Sequence, residues 1–565
     1  MDVNLVLAGE AGQGLKTFSH IMAKGLFRAG FEVFASKDYM SRVRGGHNFM
    51  QIRFGDESFS APVEQIDILI ALNREGLEEH AQRVKDDGVI LFDGDFGKEL
   101  KSSAKKLIEL PASDIAAEVN PRAENTVFMG AVLKILSLSP EPWHDLLAER
   151  FDSEQIVDDN QLLLRRGGEE VEGEFSLTPP DSKGNEIFAG GNEALAFGAA
   201  VSGVKFYSAY PMTPSTDIMN YLASHQDELG LAMEQAEDEL GAINMAIGAS
   251  HAGIRAMTGT SGGGFALMNE GLGLAGVTEI PLVIAEVQRP GPATGLPTRT
   301  SQADLLFVIN SSQGEFPLKV IAPRTQEEAF YQTVRAFNLA EKYQIPVILL
   351  SDQFLADSST NFPEFDLGSI QLERYLIDEG SLPEGEDYRR YKFTDEGVSP
   401  RAYPGQFEDE VVLVDSHEHD EYGFVTEDQE ICQRIIEKRN KKRERMREED
   451  LLAPEFSGAE NPDYLVVTWG SSHGPVREAV SHFVDEDVKM GLLSYTDVWP
   501  LERETLKNLA GTADRLISVE NNSTAQFARL ITSETGVVFE DNILKADGRP
   551  FHTGEIIAEL QEIVN

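Results

Sequence analysis

The sequence predicts an α/β protein made of three successive α/β units, and three observations carry that reading. Apolar strand-like runs alternate with helical patterns in two long stretches and again at the C-terminus. Several of those runs end in glycine-rich turns. A Gly/Pro/charge-rich segment and a long irregular polar segment break the alternation. The length of 565 residues agrees, since it suits roughly three or four domains rather than one core.

The first unit, 1–170, opens with the strand VNLVLA, the turn GEAGQG and a helix from about Leu15 to Ala29. FEVFAS, DILIAL and VILFDG supply further strands, which predicts a mainly parallel sheet. A linker at 171–186 follows. The second unit, 187–365, carries the strands VKFYSAY, IRAMTGT, PLVIAEVQ, LKVIA and PVILLS between helices of small residues. Residues 366–460 read as an irregular connecting segment ending in the basic helix RIIEKRNKKRERMREE. The third unit, 461–565, starts at DYLVVTWGSSHGPVREAV. No short-period repeat is present, which sets solenoids and propellers aside.

Composition narrows the function. A formal charge of −46 repels phosphates and anionic lipid, so neither nucleic acid nor membrane is expected as a partner. The opening MDVNLVLAGE lacks a basic n-region, and no apolar run approaches about 18 residues, so a cytoplasmic protein is expected. Cys432 is the single cysteine; it cannot form a redox pair, nor hold an iron–sulfur cluster, which takes about four thiolates.

Several loops carry chemistry. GEAGQG has neither dinucleotide-binding nor Walker spacing, but a strand–glycine–helix turn can present amides to an anion. Lys37, Arg42, Arg44, His47 and Arg53 gather positive charge in an acidic chain, as an anionic ligand or an acidic partner face would require. In Tyr210-Pro211-Met212-Thr213-Pro214-Ser215-Thr216 two prolines fix a loop after a strand; Ser215 or Thr216 suits a helix cap, and Thr213 is the better ligand candidate. Glu239 stands at the entrance of a helix of small residues, where a carboxylate can be buried. Thr258, Thr260 and Ser261 precede three glycines, and Arg289 and Arg299 lie on a Gly/Pro-stiffened loop suited to carboxylate recognition. His417 and His419 alternate as on an exposed strand face, without an evident third metal ligand, and no metal site is expected in this chain. The basic helix reads as solvated or partner-facing.

Together YPMTPST, EDELGAINMAIGASHAG, MTGTSGGGFALMNE and QRPGPATGLPTRTSQADL resemble the alpha subunit of 2-oxoacid:ferredoxin oxidoreductases, of the 2-oxoglutarate synthase type. VSPRAYPG, HEHDEYG, TDVWPL and VENNSTAQFARLI continue the resemblance in order, and GEAGQG and RGGHN resemble the family's gamma domain, here fused ahead of alpha. Nearly the whole chain is covered. The resemblance implies a gamma-type domain, a transketolase-like pyrimidine-binding domain and a C-terminal transketolase-C-like domain. It implies coenzyme A-dependent oxidative decarboxylation of a 2-oxoacid, with 2-oxoglutarate expected and ferredoxin as acceptor. Pyruvate or a branched-chain oxoacid is the alternative substrate, and a non-catalytic α/β scaffold the alternative class.

The same resemblance assigns roles. Thiamine diphosphate, the electron sink, would be shared with a beta subunit in a heterodimer or heterotetramer. Glu239 would hydrogen-bond its aminopyrimidine ring, with Thr260 and Ser261 also on the cofactor side. Thr213 and Arg289 would hold the substrate carboxylate. Arg299, His47 and Arg44 are candidates for a distal carboxylate, and Arg44 is the expected coenzyme A contact. The family's G-D-G motif, which binds diphosphate and Mg2+, is absent, and Asn521-Asn522 stand without it. Mg2+ and [4Fe-4S] are therefore expected on the beta subunit. Met212 replaces a frequent Ile and Ser301 a common acid, which leaves substrate preference open.

Overall fold

The computed structural model describes residues 1–42, 45–94, 96, 106–180, 184–378, 387–408 and 410–565, which fall into two compact units. The first comprises Met1–Ala189 with Asp357–Glu364 and His552–Ala558; the second comprises Gly190–Ala356, Phe365–Phe551 and Glu559–Asn565.

In the first unit, β1 (Asp2–Ala11) is buried along most of its length because its apolar run has no polar alternation. It pairs in parallel with β4 (Ile66–Ala71) and antiparallel with β3 (Gly45–Gly55). Beyond β4 lie β5 (Val84–Phe92) and β6 (Lys106–Glu109); beyond β3 lie β2 (Glu32–Asp38), β14 (Ser359–Pro363) and β7 (Glu186–Gly190). The expected mainly parallel sheet is thus corrected to a mixed one. The reason is β3, which the sequence presents as a glycine-rich cationic cluster rather than as a strand. Arg53 on that strand is buried, bonds Asp2 at 2.8 Å and donates to the Ala61 carbonyl at 3.0 Å. The helices Glu124–Ile135 and Glu154–Glu169 pack backbone to backbone: a Cβ on Gly130 would lie 1.8 Å from the Leu164 carbonyl oxygen, and one on Gly167 2.0 Å from that of Val127.

The second unit holds two sheets. The larger runs β18 (Asp497–Trp499), β12 (Lys319–Ile321), β13 (Pro346–Asp352), β11 (Leu282–Gln288), β10 (Arg255–Thr260), β8 (Val204–Ala209) and β9 (Ala232–Gln235). Every neighbouring pair is parallel except β12 with β18. The smaller runs β15 (Glu455–Gly458), β17 (Met490–Tyr495), β16 (Tyr464–Trp469), β19 (Arg515–Glu520) and β20 (Asp541–Leu544). One apolar core joins them through Phe265, Ile284, Trp469, Tyr495 and Phe527.

Two expectations for this unit are corrected. The helix Gln429–Glu449 is solvated along one side only: Lys438 and Lys442 are buried against Glu279, and Arg439 is buried against Glu418. Buried Glu279 and half-exposed Glu418 draw those cations inward, which composition along one helix cannot reveal. His417 and His419 do not share an exposed face either. His417 is exposed, while His419 is buried with its ring 3.8 Å from that of Tyr391. Among the described residues no helix is long and apolar enough to cross a membrane.

Candidate functional site

The carboxyl ends of β8, β10 and β11 lie side by side, where parallel α/β sheets open to ligands. The chain leaving β8 enters the Tyr210–Ser215 loop. Asn192 Nδ2 donates to the Pro214 carbonyl at 2.9 Å, and Ser215 Oγ donates back to that of Met212 at 2.8 Å. Ser215 therefore ties the loop and does not cap the helix Thr216–Ser224, as the capping alternative had it.

After β9, Asp238 caps the helix Glu239–His251 by accepting from the Gly241 amide at 2.7 Å. That leaves Glu239, the first helical residue, free of capping duty, and it is buried. Thr260 ends β10, and its hydroxyl donates to Glu239 Oε1 at 3.5 Å. The carboxylate sits against the backbone of Gly264. A Cβ there would lie 2.1 Å from Thr260 Oγ1 and 2.3 Å from Glu239 Oε1, so only glycine leaves room. Ser261 precedes the helix Gly262–Leu267, and its buried Oγ has no hydrogen-bond partner among the described residues.

Arg289 follows β11 and donates Nη1 to the Thr213 carbonyl at 2.7 Å. Burial pulls its guanidinium below the ordinary value, against the opposing fields of Glu239 and Asp304. The structure thus brings Thr213 to Arg289 and Thr260 to Glu239, with Ser261 next in chain. Arg299 packs against the Gly548 turn, where a Cβ on that glycine would lie 3.1 Å from its own Cβ. Arg44 lies outside the described residues.

In the first unit, His47 Nε2 lies 2.9 Å from His80 Nε2, and Arg83 Nη1 lies 3.0 Å from His80 Nδ1. Burial, then Arg83 and His47, lowers His80 to about 3. The turn before the helix Leu15–Arg28 satisfies itself: the Glu10 amide donates to Gln13 Oε1 at 2.7 Å, and Asn125 Nδ2 donates to the Gln13 carbonyl.

Sequence reasoning missed three acids near the site, Glu286, Asp304 and Asp352. A signal existed for the first, an acid inside the apolar strand LVIAEVQ. Asp304 sits beside Gly262, and burial raises it to about 6 against the pull of Arg289.

Comparison with known proteins fits this arrangement. Residues 198–448 match the family model for the thiamine diphosphate-binding domain of pyruvate flavodoxin/ferredoxin oxidoreductase, and residues 4–170 match the pyruvate ferredoxin/flavodoxin oxidoreductase model. The 2-oxoacid:ferredoxin oxidoreductase subunit alpha of a Sulfolobus species is 33% identical over all of this chain and 97% of its own length. The 2-oxoglutarate synthase subunit KorA of Methanothermobacter marburgensis is 31% identical, over 66% of this chain and 98% of its own. A solved structure of 2-oxoglutarate:ferredoxin oxidoreductase from Magnetococcus marinus, with 2-oxoglutarate, coenzyme A and succinyl-CoA bound, superposes with a TM-score of 0.92 at 29% identity, covering both chains in full. The chain belongs to the alpha subunits of the 2-oxoacid:ferredoxin oxidoreductases, and it is an oxidoreductase subunit.

Proposed function

We propose that this chain provides the pyrimidine side of a thiamine diphosphate site and acts with a beta subunit in the coenzyme A-dependent oxidative decarboxylation of 2-oxoglutarate. The observation that carries this reading is Glu239, a buried carboxylate braced by Thr260 and Gly264 at the carboxyl ends of parallel strands. The residues fit the cofactor: Glu239 keeps acceptor capacity for a ring N–H, and Ser261 Oγ is buried without a partner among the described residues. When bound, thiamine diphosphate supplies the electron sink for decarboxylation. Glu239 holds a proton acceptor in a low-dielectric setting, where a hydrogen bond to a ring nitrogen is strong. Arg289, steered by its bond to Thr213, offers a guanidinium to the oxoacid carboxylate.

The choice of 2-oxoglutarate rests on the Magnetococcus and Methanothermobacter relatives. We assign Mg2+ and [4Fe-4S] to the beta subunit, because the sequence has one cysteine and no G-D-G, and ferredoxin is the acceptor. Partly exposed Leu240, Met245 and Leu267, on the helices that begin at the site, suit a partner's apolar surface. By the same reading, 1–170 is the gamma-type domain and the region where coenzyme A binds, 187–365 the pyrimidine-binding domain and 461–565 the transketolase-C-like domain. A cytoplasmic location suits the ferredoxin-linked chemistry.

Co-expression with the beta subunit tests this. The complex should contain iron and thiamine and reduce ferredoxin with 2-oxoglutarate and coenzyme A, and Glu239→Gln should lower that rate by about 10³-fold. Retained activity in this variant rules out Glu239 as the reacting carboxylate. Faster turnover of pyruvate would overturn the substrate.

A further inference from the structure

The segments TSQADL and VENNSTAQFARLI, 220 positions apart at Gln302 and Asn522, meet at the buried side chain of Gln302. Its Nε2 donates to the carbonyl of Trp469, the last residue of β16, at 2.9 Å. Its Oε1 accepts from Ser472 Oγ at 2.7 Å and from the amide of Asn521, just beyond β19, at 3.0 Å. The backbone adds two bonds: the Gln302 amide donates to the Asn521 carbonyl at 2.7 Å, and its carbonyl accepts from Asn522 Nδ2 at 3.1 Å. Gly470 leaves room for this contact, since a Cβ there would lie 3.1 Å from Gln302 Nε2, and its φ of +55° suits glycine. Neighbouring residues are held from the same direction. Thr300 donates its amide to the Gly548 carbonyl at 3.2 Å. Gln526 spans the next turn, its Nε2 donating to the Ala303 carbonyl at 2.6 Å and its Oε1 accepting from the Leu306 amide at 2.9 Å. Asn521-Asn522, which stand in the sequence without a diphosphate motif, thus have a task in the fold.

The chain held this way is the loop that leaves β11 at Arg289. Its far end returns to the same strand: the Asp304 amide donates to Gln288 Oε1 at 3.1 Å, and Gln288 Nε2 donates to the Ser351 carbonyl on β13 at 3.1 Å. The larger sheet clasps it once more, where Thr300 Oγ1 accepts from the Phe354 amide at 3.2 Å. At the near end Arg289 donates to the Thr213 carbonyl at 2.7 Å. A buried amide whose two ends are both spent on fixed partners holds one geometry, because a shift leaves polar groups unpaired at low dielectric. We propose that Gln302 is a positioning residue for the oxoacid: through its amide the smaller sheet fixes the loop that starts at Arg289, and so fixes where that guanidinium meets the substrate carboxylate. The role of Gln302 rests on the assignment of Arg289 to the substrate. Gln302 takes no part in the chemistry and acts through the loop and the Gln288–Asp304 tie at its base.

The test is the steady-state kinetics of the complex with the beta subunit. Gln302→Met keeps the length of the side chain and removes its three bonds. KM for 2-oxoglutarate should rise about tenfold, while KM for coenzyme A and the thiamine content stay within about twofold and kcat falls by less than about threefold. A residue that serves folding alone changes the amount of active complex, which lowers the apparent kcat and leaves KM where it was. An unchanged KM for 2-oxoglutarate, or an equal rise in both KM values, therefore overturns the inference. Gln526→Met, at a half-buried position, removes the neighbouring strut and should raise the same KM about threefold. It decides by the same criteria if Gln302→Met does not assemble. Arg289→Ala separates the two levels. If it leaves KM for 2-oxoglutarate unchanged, the assignment of Arg289 falls, and the role of Gln302 with it. If it raises that KM while Gln302→Met and Gln526→Met do not, only the role of Gln302 falls.

Discussion

Glu279 and Glu286 flank the same stretch of chain, are both buried, and are treated in opposite ways. Glu279 accepts from Lys438 at 2.7 and 2.9 Å and from Lys442, and Arg390 donates to its carbonyl at 2.6 Å. Burial alone would raise its carboxyl, but Lys438, Lys442 and Arg390 reverse that and hold it well below the usual range. Glu286 has no such counter-charge among the described residues and is pushed the other way. A buried acid with its cations beside it ties chain segments together. One left without them stays protonated, and the structure keeps such groups at the strand ends around Glu239, where an enzyme needs protons and unspent charge.

The comparison breaks most sharply at Glu279. Glu279→Gln leaves Lys438 and Lys442 buried without their carboxylate and should cost about 3–5 kcal/mol, read as a lower denaturation midpoint. A loss under about 1 kcal/mol would show that this pair is not a structural tie. Gly264→Ala works on the other side. Its Cβ would strike Glu239 Oε1 and Thr260 Oγ1, and displacing that carboxylate should lower kcat about 10²-fold in a complex that still assembles.

Glu286→Gln sharpens the contrast through pH. The folded carboxyl keeps its proton well above 4.5, where the unfolded chain loses it. The folded state then binds more protons, so stability falls as pH rises above about 4.5. The variant lacks that slope and should be about 2 kcal/mol more stable than the parent at pH 8, by denaturant titration at about pH 5 and about pH 8. Equal slopes would mean that Glu286 is solvated or paired.

The smallest effect is expected at Lys442. Burial, against the pull of Glu279, lowers its ammonium to about 7. Between about 7 and 10.5 the unfolded chain binds the extra proton, so this group makes stability rise with pH. Lys442→Met keeps Lys438 as partner to Glu279 and should change stability by about 1 kcal/mol or less at pH 7, while removing that rise.

Much of this was legible in the chain. Strands β8, β10, β11, β12 and β13 stand where their apolar runs predict, because a parallel strand buried on both faces needs an unbroken hydrophobic run. Thr213 and Glu239 were found from prolines and small residues next to those runs. Other strands are not legible that way, β3 and β9 among them. β3 was hidden by its glycines and cations, and β9 is an edge strand whose polar residues are mostly exposed.

The sequence by itself determined the α/β order, the loops that carry Thr213, Glu239 and Arg289, and the lack of thiolates for a cluster. Those properties are local, set by periodicity, turn chemistry and residue counts. Only the tertiary structure decided which charges meet. It drew Lys442 onto Glu279 across 163 positions of sequence, bonded Arg289 to the Thr213 carbonyl, and left the Glu286 carboxyl without a hydrogen-bond partner among the described residues. Desolvation and ion pairing depend on distance in space, and residue order along the chain does not encode that distance.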